Sequence, residues 1–226
     1  MIKANGINHL PISTANMKGQ IEFFTDILGA ELIALYPMHN TEGAQHSFLR
    51  LSDNCCLSFV EYPENTDIEP QVGVTYPSGV GSSAPGTLNH LAFNVDSIED
   101  LLAMRDRIRS KGIHVFGPLD HGMMQSIYFQ GLEHLSLEIA AYQGVLNPEA
   151  WIDPETVKAA GISAEELARY KAPAPYEDQG GAVAQPPIDP VKHPEIFEDK
   201  EIKSVIEMSD EDVFATMSTP EPPVSI

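Results

Sequence analysis

One pattern of apolar and polar positions occurs twice within the first 143 residues. The segments INHLPIST at 7–14 and LNHLAFNV at 88–95 alternate as half-buried strands do. An amphipathic helix pattern follows each, one around 17–28 and one that begins with the capping box at 97–100. Three strand-like runs then follow each helix, near 31–36, 45–51 and 55–62, and near 113–116, 125–130 and 135–142. The pattern predicts an α+β fold built from two βαβββ modules.

The repeat sets the expected domain organisation. We predict one paired domain over residues 1–143, with modules at about 1–62 and 86–143 and a Gly-, Pro- and Ser-rich linker between them. Residues 144–226 form a different segment, with 11 of the 18 prolines and 17 acidic against 6 basic residues. Short helices are predicted after Asp153, Ser163 and Ser209 in this extension. We expect the extension to pack on the domain or on a neighbouring subunit, with Trp151 buried beside the last strand.

Charge and cysteine content narrow the class of protein. The chain has 13 basic and 33 acidic residues, a formal net charge of −20, which disfavours binding to nucleic acid or to an anionic membrane. Its two cysteines, Cys55 and Cys56, are adjacent and cannot build a disulfide framework. No stretch approaches the roughly 18 apolar residues that a membrane span needs. The sequence thus predicts a soluble cytoplasmic protein whose partner is a small-molecule substrate.

Strand parity selects candidate metal ligands. His9 and His90 occupy equivalent positions of the repeat, 81 residues apart, and Glu138 lies on the last predicted strand. The repeat places Ser58 opposite Glu138, whereas Glu61 falls on the other face of its strand. Two imidazoles and one carboxylate form the facial triad that suits Fe(II) and also accepts Mn, Ni or Zn. The alternative for each histidine alone is an ordinary core or surface residue.

These motifs resemble the vicinal oxygen chelate superfamily, which includes glyoxalase I, extradiol dioxygenases and bleomycin- or fosfomycin-resistance proteins. The resemblance rests on NHLPI, NHLAF and LSLEI around the three candidate ligands, on EFFTDILGAEL at 22–32 and on SIYFQGLEHLSLEI at 126–139. It covers residues 1–143 and implies a divalent metal held by His9, His90 and Glu138, with Fe(II) favoured. Separately, we predict a homodimer to which the extension can contribute. One scaffold serves several reactions in this superfamily.

The resemblance also separates the possible reactions. Glyoxalase I carries a fourth ligand where Ser58 stands, which disfavours a glyoxalase-like lyase or isomerase. The extradiol motif of His, Tyr and Glu is similar in spacing to His121, Tyr128 and Glu138, although its Pro and Gly are absent. This implies that Tyr128 holds a substrate oxygen and that His121 closes over the pocket.

The acid–base histidine of the dioxygenases has no counterpart in residues 62–89. His46, which shares the face of Tyr128 in the repeat, is the substitute candidate, and Arg50 is a candidate for binding a substrate carboxylate or phenolate, with Ser58 nearby. A solvent-facing role for His46 and an ordinary strand position for Tyr128 stay open. Three functions remain: a metal-dependent dioxygenase, a metal-dependent lyase or isomerase, and a non-catalytic small-molecule-binding protein.

Overall fold

A computed structural model describes residues 3–39, 41–79, 81–178, 180–189, 191–192 and 200–225. The chain divides into two compact units, one of residues 4–171 and one that contains the segment from residue 172 onwards. The predicted boundary at residue 143 is a division by composition, and it stays a prediction. The sequence pattern of both modules and the candidate ligands lie in the first unit.

Each module forms a four-stranded sheet with one helix. The two βαβββ modules are β1 (His9–Ser13), α1 (Met17–Leu28), β2 (Glu31–Pro37), β3 (Gln45–Ser52) and β4 (Cys55–Glu61), then β5 (Leu91–Asn94), α2 (Ile98–Ser110), β6 (Phe116–Asp120), β7 (Met124–Gln130) and β8 (Ser136–Tyr142). In the first sheet, the strands run in the order β1-β4-β3-β2, and β1 is parallel to β4. The second sheet has the equivalent order β5-β8-β7-β6, with β5 parallel to β8. The predicted α+β fold is confirmed.

One strand differs from its predicted position. The sequence placed the sixth strand near 113–116, but β6 begins only at Phe116, where its ladder with β7 starts opposite Tyr128. Ile113 and Val115 pack against the core before the ladder begins. The apolar alternation at 113–116 therefore comes mostly from partly buried residues that precede the strand.

The helix ends follow local capping chemistry. The Asn16 side chain accepts a hydrogen bond from the Gly19 amide at the start of α1, and Gly29 ends that helix in the left-handed conformation, at φ 72°. Ser97 accepts from the Asp100 amide at the start of α2. The capping residues thus fix where each helix begins against its sheet.

Both modules share one hydrophobic core. The Phe24 ring of α1 lies 5.3 Å from the Phe59 ring of the first sheet and 6.1 Å from the Phe93 ring of the second, between ring centroids. The fully buried side chains around it come from both helices and both sheets, and they include Leu49, Leu57, Leu101, Ile108, Ile127, Leu137 and Ile139. The helix-side faces of the two sheets therefore meet in this core.

A carboxylate also joins the two modules. Glu133, in the turn between β7 and β8, accepts hydrogen bonds from the Thr14 hydroxyl (2.6 Å), the Ala15 amide (2.8 Å) and the Gln20 side-chain nitrogen (2.7 Å). Thr14 and Gln20 are both buried. Glu133 adopts φ 50°, in the left-handed region that glycine favours. The hydrogen bonds compensate for that backbone cost.

Short helices follow the last strand, and three of their starts are capped as the sequence predicts. In the described residues these helices are α3 (Pro148–Trp151), α4 (Pro154–Ala159) and α5 (Ala164–Lys171) in the first unit, and α6 (Lys200–Ile206) and α7 (Asp210–Met217) in the second. Asp153 caps α4, Ser163 and Glu166 form the capping box of α5, and Ser209 caps α7. The sequence did not predict α3 and α6. None of the helices in the described part of the chain combines the length and apolar character needed to cross a membrane.

The prediction for Trp151 is wrong. Its side chain is 45% exposed, and its indole ring lies over Gly122, where an added Cβ would come within 3.1 Å of the ring. Trp151 therefore packs by one edge against the turn before β7. The predicted anchor Phe197 lies outside the described residues.

Candidate metal and substrate site

The strand register defines one face on each sheet, which we call the site face. In the first sheet, Ser58 of β4 aligns with Pro11 of β1 and with Phe48 of β3. In the second, Glu138 of β8 aligns with Ala92 of β5 and with Tyr128 of β7. Side chains of aligned residues point to the same side of a sheet. His9 and His46 join the first site face, and His90, which precedes β5, joins the second.

Each candidate histidine is held by the asparagine before it. Nδ1 of His9 lies 2.9 Å from Oδ1 of Asn8, and Nδ1 of His90 lies 2.9 Å from Oδ1 of Asn89. Because an amide oxygen only accepts, each Nδ1 is the donor, and a neutral ring then carries its lone pair on Nε2. Metal-binding histidines in proteins are fixed in this way by a partner on the other nitrogen. The sequence repeats this Asn-His pair, and the role of the asparagines was not recognised from the pattern.

Glu138 meets the free nitrogen of His90. Its Oε2 lies 2.9 Å from Nε2 of His90, and the carboxylate is almost fully buried. With Nδ1 donating to Asn89, a neutral imidazole and a carboxylate present two acceptors to each other, so a proton or a metal cation is needed between them. Imidazole nitrogen and carboxylate oxygen are ligands of Fe(II), Mn, Ni and Zn. The donor set fits a divalent metal.

Tyr128 and His121 lie next to this pair. The Tyr128 hydroxyl is 3.0 Å from Nε2 of His121, and the Tyr128 ring stands edge-on to His90 with 6.2 Å between ring centroids. Burial, and then the charge of Glu138, raise the pKa of the Tyr128 phenol above its usual value. The phenol therefore keeps its proton and is a hydrogen-bond donor. The structure brings together four sequence candidates here: His90, Glu138, Tyr128 and His121.

The first site face carries His46 within a group of rings. Nδ1 of His46 lies 3.3 Å from the Tyr36 hydroxyl, and its Nε2 is buried with no hydrogen-bond partner among the described residues. The His46 and Phe48 ring centroids are 4.5 Å apart. Burial, and then the charge of His9, lower the pKa of His46. Tyr36 and Phe48 were not among the candidates from sequence, although Phe48, two residues after His46, shares its face by strand parity.

The other candidates have separate environments. Arg50 lies on the first site face, but its guanidinium is paired with the carboxylate of Glu31 on the neighbouring strand. Ser58 is fully buried, and its hydroxyl has no hydrogen-bond partner among the described residues. Glu61 accepts a hydrogen bond from the Met17 amide at the start of α1 (3.3 Å), away from the Ser58 face.

One chain does not assemble the triad by itself. Among the residues described, no three His, Cys, Asp or Glu side chains converge closely enough to hold a metal ion. The fold gives the reason: the two sheets share a core through their helix-side faces, so each site face lies on the side of its sheet away from that core. β1 and β5, which carry or follow the two histidines, are edge strands. His9 is therefore separated from His90 and Glu138.

Comparison with known proteins agrees with this architecture. The sequence profile of the Glyoxalase/Bleomycin resistance protein/Dioxygenase superfamily matches residues 6–140, which include both modules and all three candidate ligands. The chain belongs to that superfamily.

Several members of the superfamily are similar to the chain at low identity. Biphenyl-2,3-diol 1,2-dioxygenase 2 of Rhodococcus globerulus is 23% identical over 124 residues, which are 54% of this chain and 55% of that protein. The chain thus spans about half the length of this curated relative. A glyoxylase/bleomycin resistance protein/dioxygenase domain from Frankia sp. EAN1pec is 15% identical and has a TM-score of 0.49, covering 62% of this chain and 100% of that one. The fosfomycin resistance protein FosX of Listeria monocytogenes is 22% identical, with a TM-score of 0.41, covering 65% and 97%.

Proposed function

We propose that the protein is a metal-dependent dioxygenase of extradiol type that acts on a small aromatic substrate with two neighbouring oxygens. The observation that carries this proposal is the second site face. There, a candidate metal pair, His90 and Glu138, adjoins a protonated phenol, Tyr128, which is itself backed by His121. The similarity to a biphenyl-diol dioxygenase supports the same reaction class.

The metal site needs two copies of the chain in this proposal. His90 and Glu138 of one copy hold the metal together with His9 of a second copy, because the intervening core keeps His9 away within one chain. The edge strands β1 and β5 are available to bring the two copies together. The protein is therefore a homodimer whose site is shared. Free Cys55 and Cys56 suit a reducing compartment such as the cytoplasm.

The chain's own residues have distinct tasks. Fe(II), when bound, supplies Lewis-acid and one-electron chemistry for a catecholate and dioxygen. The Asn8 and Asn89 carbonyls orient the two imidazoles so that Nε2 faces the metal position. The Tyr128 hydroxyl donates a hydrogen bond to one substrate oxygen, and His121 holds that hydroxyl in place. His46, which lies among the rings of the first site face, is the candidate base for a substrate hydroxyl.

A glyoxalase-like lyase or isomerase is the second candidate. Ser58 weighs against it, since a buried hydroxyl rather than a carboxylate stands where the repeat places the equivalent of Glu138. A hydroxyl is a weaker ligand than the carboxylate of Glu138, so the three-ligand dioxygenase has the stronger support. A non-catalytic binding protein is a third reading, with the same metal and substrate contacts but no turnover.

Metal analysis with an oxygen electrode tests the proposal. The protein is purified without added metal, its metal content is measured, and it is then reconstituted separately with Fe(II), Mn, Ni and Zn. We expect one metal per chain and oxygen uptake with catechol that depends on Fe(II). Tight metal binding without oxygen uptake on any catechol, but with turnover of a vicinal dicarbonyl adduct, would move the assignment to the lyase or isomerase. Catechol binding without any turnover would leave the binding protein.

A further inference from the structure

The first site face is lined by aromatic rings beyond its candidate ligand. Starting from His9, the Phe48 ring follows with its centroid 5.2 Å away, then His46 and Tyr36 with centroids 4.5 Å and 6.4 Å from that of Phe48. The rings of Tyr36 and Phe48 are nearly parallel, 7° apart. His39 stacks on Tyr36 at 5.9 Å, behind the row. Neighbouring rings of this kind create a continuous π surface on two adjacent strands.

These rings are not sealed inside the core. Tyr36, His46 and Phe48 are each half-buried, whereas the residues that alternate with them on β3, Ser47 and Leu49, are fully buried against the helix. Part of each ring therefore stays available on the site face. Partly exposed aromatic rings side by side on one sheet face are typical of a binding wall for a flat ligand, and we call Tyr36, His46 and Phe48 the aromatic wall.

The repeat shows that this wall is a property of the first module. Positions 46, 48 and 58 correspond to 126, 128 and 138 of the second module, where Ser126, Tyr128 and Glu138 stand. The second module thus concentrates the carboxylate and the phenol, while the first supplies π surface and imidazoles. When two copies bring unlike modules together, one side of the shared site binds oxygens and the other stacks on a ring.

The pairing of charges on the first site face favours an uncharged ligand group there. Arg50 is the guanidinium at this face, and Glu31 already neutralises it. Aromatic pairs gain from offset or tilted contacts, and this gain is lost when a ring is replaced by an aliphatic ring of similar size. The wall therefore distinguishes an aromatic substituent from an alicyclic one.

We propose that Tyr36, His46 and Phe48 form an aromatic subsite that selects substrates with a second, uncharged aromatic ring attached to the chelating ring. The proposal rests on the proposed function for the place of the chelating oxygens. The rings themselves make it testable without turnover. Phe48 and Tyr36 stack on the added ring, and His46 contacts it at the edge nearest His9.

Equilibrium binding of matched probes tests the subsite. The full-length dimer of measured metal content is titrated with 3-phenylcatechol and with 3-cyclohexylcatechol, and the 4-substituted pair is tested in the same way. We expect the phenyl compound to bind about three- to tenfold more tightly than the cyclohexyl compound. Phe48→Leu and Tyr36→Leu should each reduce this ratio towards one. Leu35→Ala, on the opposite face of β2 beside Tyr36, is the matched control and should keep the ratio.

The outcomes distinguish failure of the aromatic subsite from failure of the proposed dioxygenase. A wild-type ratio near one for both probe pairs, or a ratio that persists in both leucine variants, would overturn the aromatic subsite, as would the failure of every probe to bind. If Phe48→Leu does not fold, Tyr36→Leu on the edge strand still decides. Absence of bound metal would contradict the proposed dioxygenase, while the ratio measured on metal-free protein would still test the subsite.

Discussion

Glu138 and His90 face each other through the two atoms that bind metals, Oε2 and Nε2, at 2.9 Å. The opposite nitrogen of His90 is already used by Asn89. A neutral imidazole and a carboxylate in this arrangement are two acceptors, so a proton or a divalent metal is needed between them. The same Asn-His pair at residues 8–9 orients the candidate third ligand, His9, without a carboxylate beside it.

The asparagines should control metal affinity. Asn89→Ala removes the acceptor that orients His90, and we expect the dissociation constant of the bound metal to rise about 10- to 100-fold. Asn89→Asp keeps an acceptor oxygen and should restore most of the affinity. Chelator competition measures both constants. Equal affinities for wild type and Asn89→Ala would show that the ring is oriented by other contacts.

Mixing two inactive variants should rebuild the shared site. His9→Ala and Glu138→Ala each remove a ligand, so either variant alone should lose its metal, whereas Glu61→Ala should keep it. In a mixed dimer, one of the two sites receives His9 from one chain and both other ligands from the other. After random subunit exchange, about a quarter of the wild-type metal content should return. No recovery in mixtures shown to contain mixed dimers would place the whole triad within one chain and overturn the shared site.

Much of this arrangement could be predicted from the sequence, because the repeat carries it. Period-two alternation gave the faces of His9, Ser58 and Glu138, and strand register in the structure follows the same parity. Where His9 lies relative to Glu138 was not predictable in this way. That separation depends on how α1 packs on both sheets through Phe24, a tertiary contact with no local signature.

Two residues have environments that no local sequence pattern indicates. Arg50 lies on the site face, as strand parity predicts, but its guanidinium forms an ion pair with Glu31 on the adjacent strand. Trp151 is apolar enough for a core, yet it lies on a single helical turn and stays 45% exposed, with Gly122 beneath one edge of its ring. The sequence alone reveals neither the residue that pairs with Arg50 across the strands nor how deeply Trp151 is buried.

Tyr128 and His46 should affect turnover more than metal binding. Tyr128→Phe removes the hydroxyl that His121 holds, and His46→Ala removes an unpartnered nitrogen on the first site face. We expect either change to lower kcat with catechols about 10²- to 10⁴-fold while metal content stays near that of the wild type. Tyr170→Phe, on helix α5, is the control for a lost phenol. Unchanged rates in both site variants would return Tyr128 and His46 to structural roles.

Glu133 should stabilise the junction of the modules. Glu133→Ala leaves Thr14 and Gln20 buried without their acceptor, which typically costs about 1–3 kcal/mol for each unsatisfied group. We expect the midpoint of urea unfolding to fall accordingly. Glu64→Ala changes an exposed acidic side chain in the turn after β4 and should leave the midpoint unchanged. A midpoint for Glu133→Ala equal to that of Glu64→Ala would show that water replaces the carboxylate at no cost.

The C-terminal extension should divide at Lys171 under limited proteolysis. Helices α3 to α5 belong to the unit of residues 4–171, and their starts are held by Asn147, Asp153 and the Ser163–Glu166 capping box. Residues 172–178 are exposed and have no regular secondary structure, so their backbone enters a protease site without local unfolding. We expect a broad-specificity protease to cut first in this segment and to leave a product that ends near Lys171. Mass spectrometry of the early products identifies the cut. Early cleavage within 148–171 at the same rate would show that the short helices open freely and that Trp151 contributes no stable contact with Gly122.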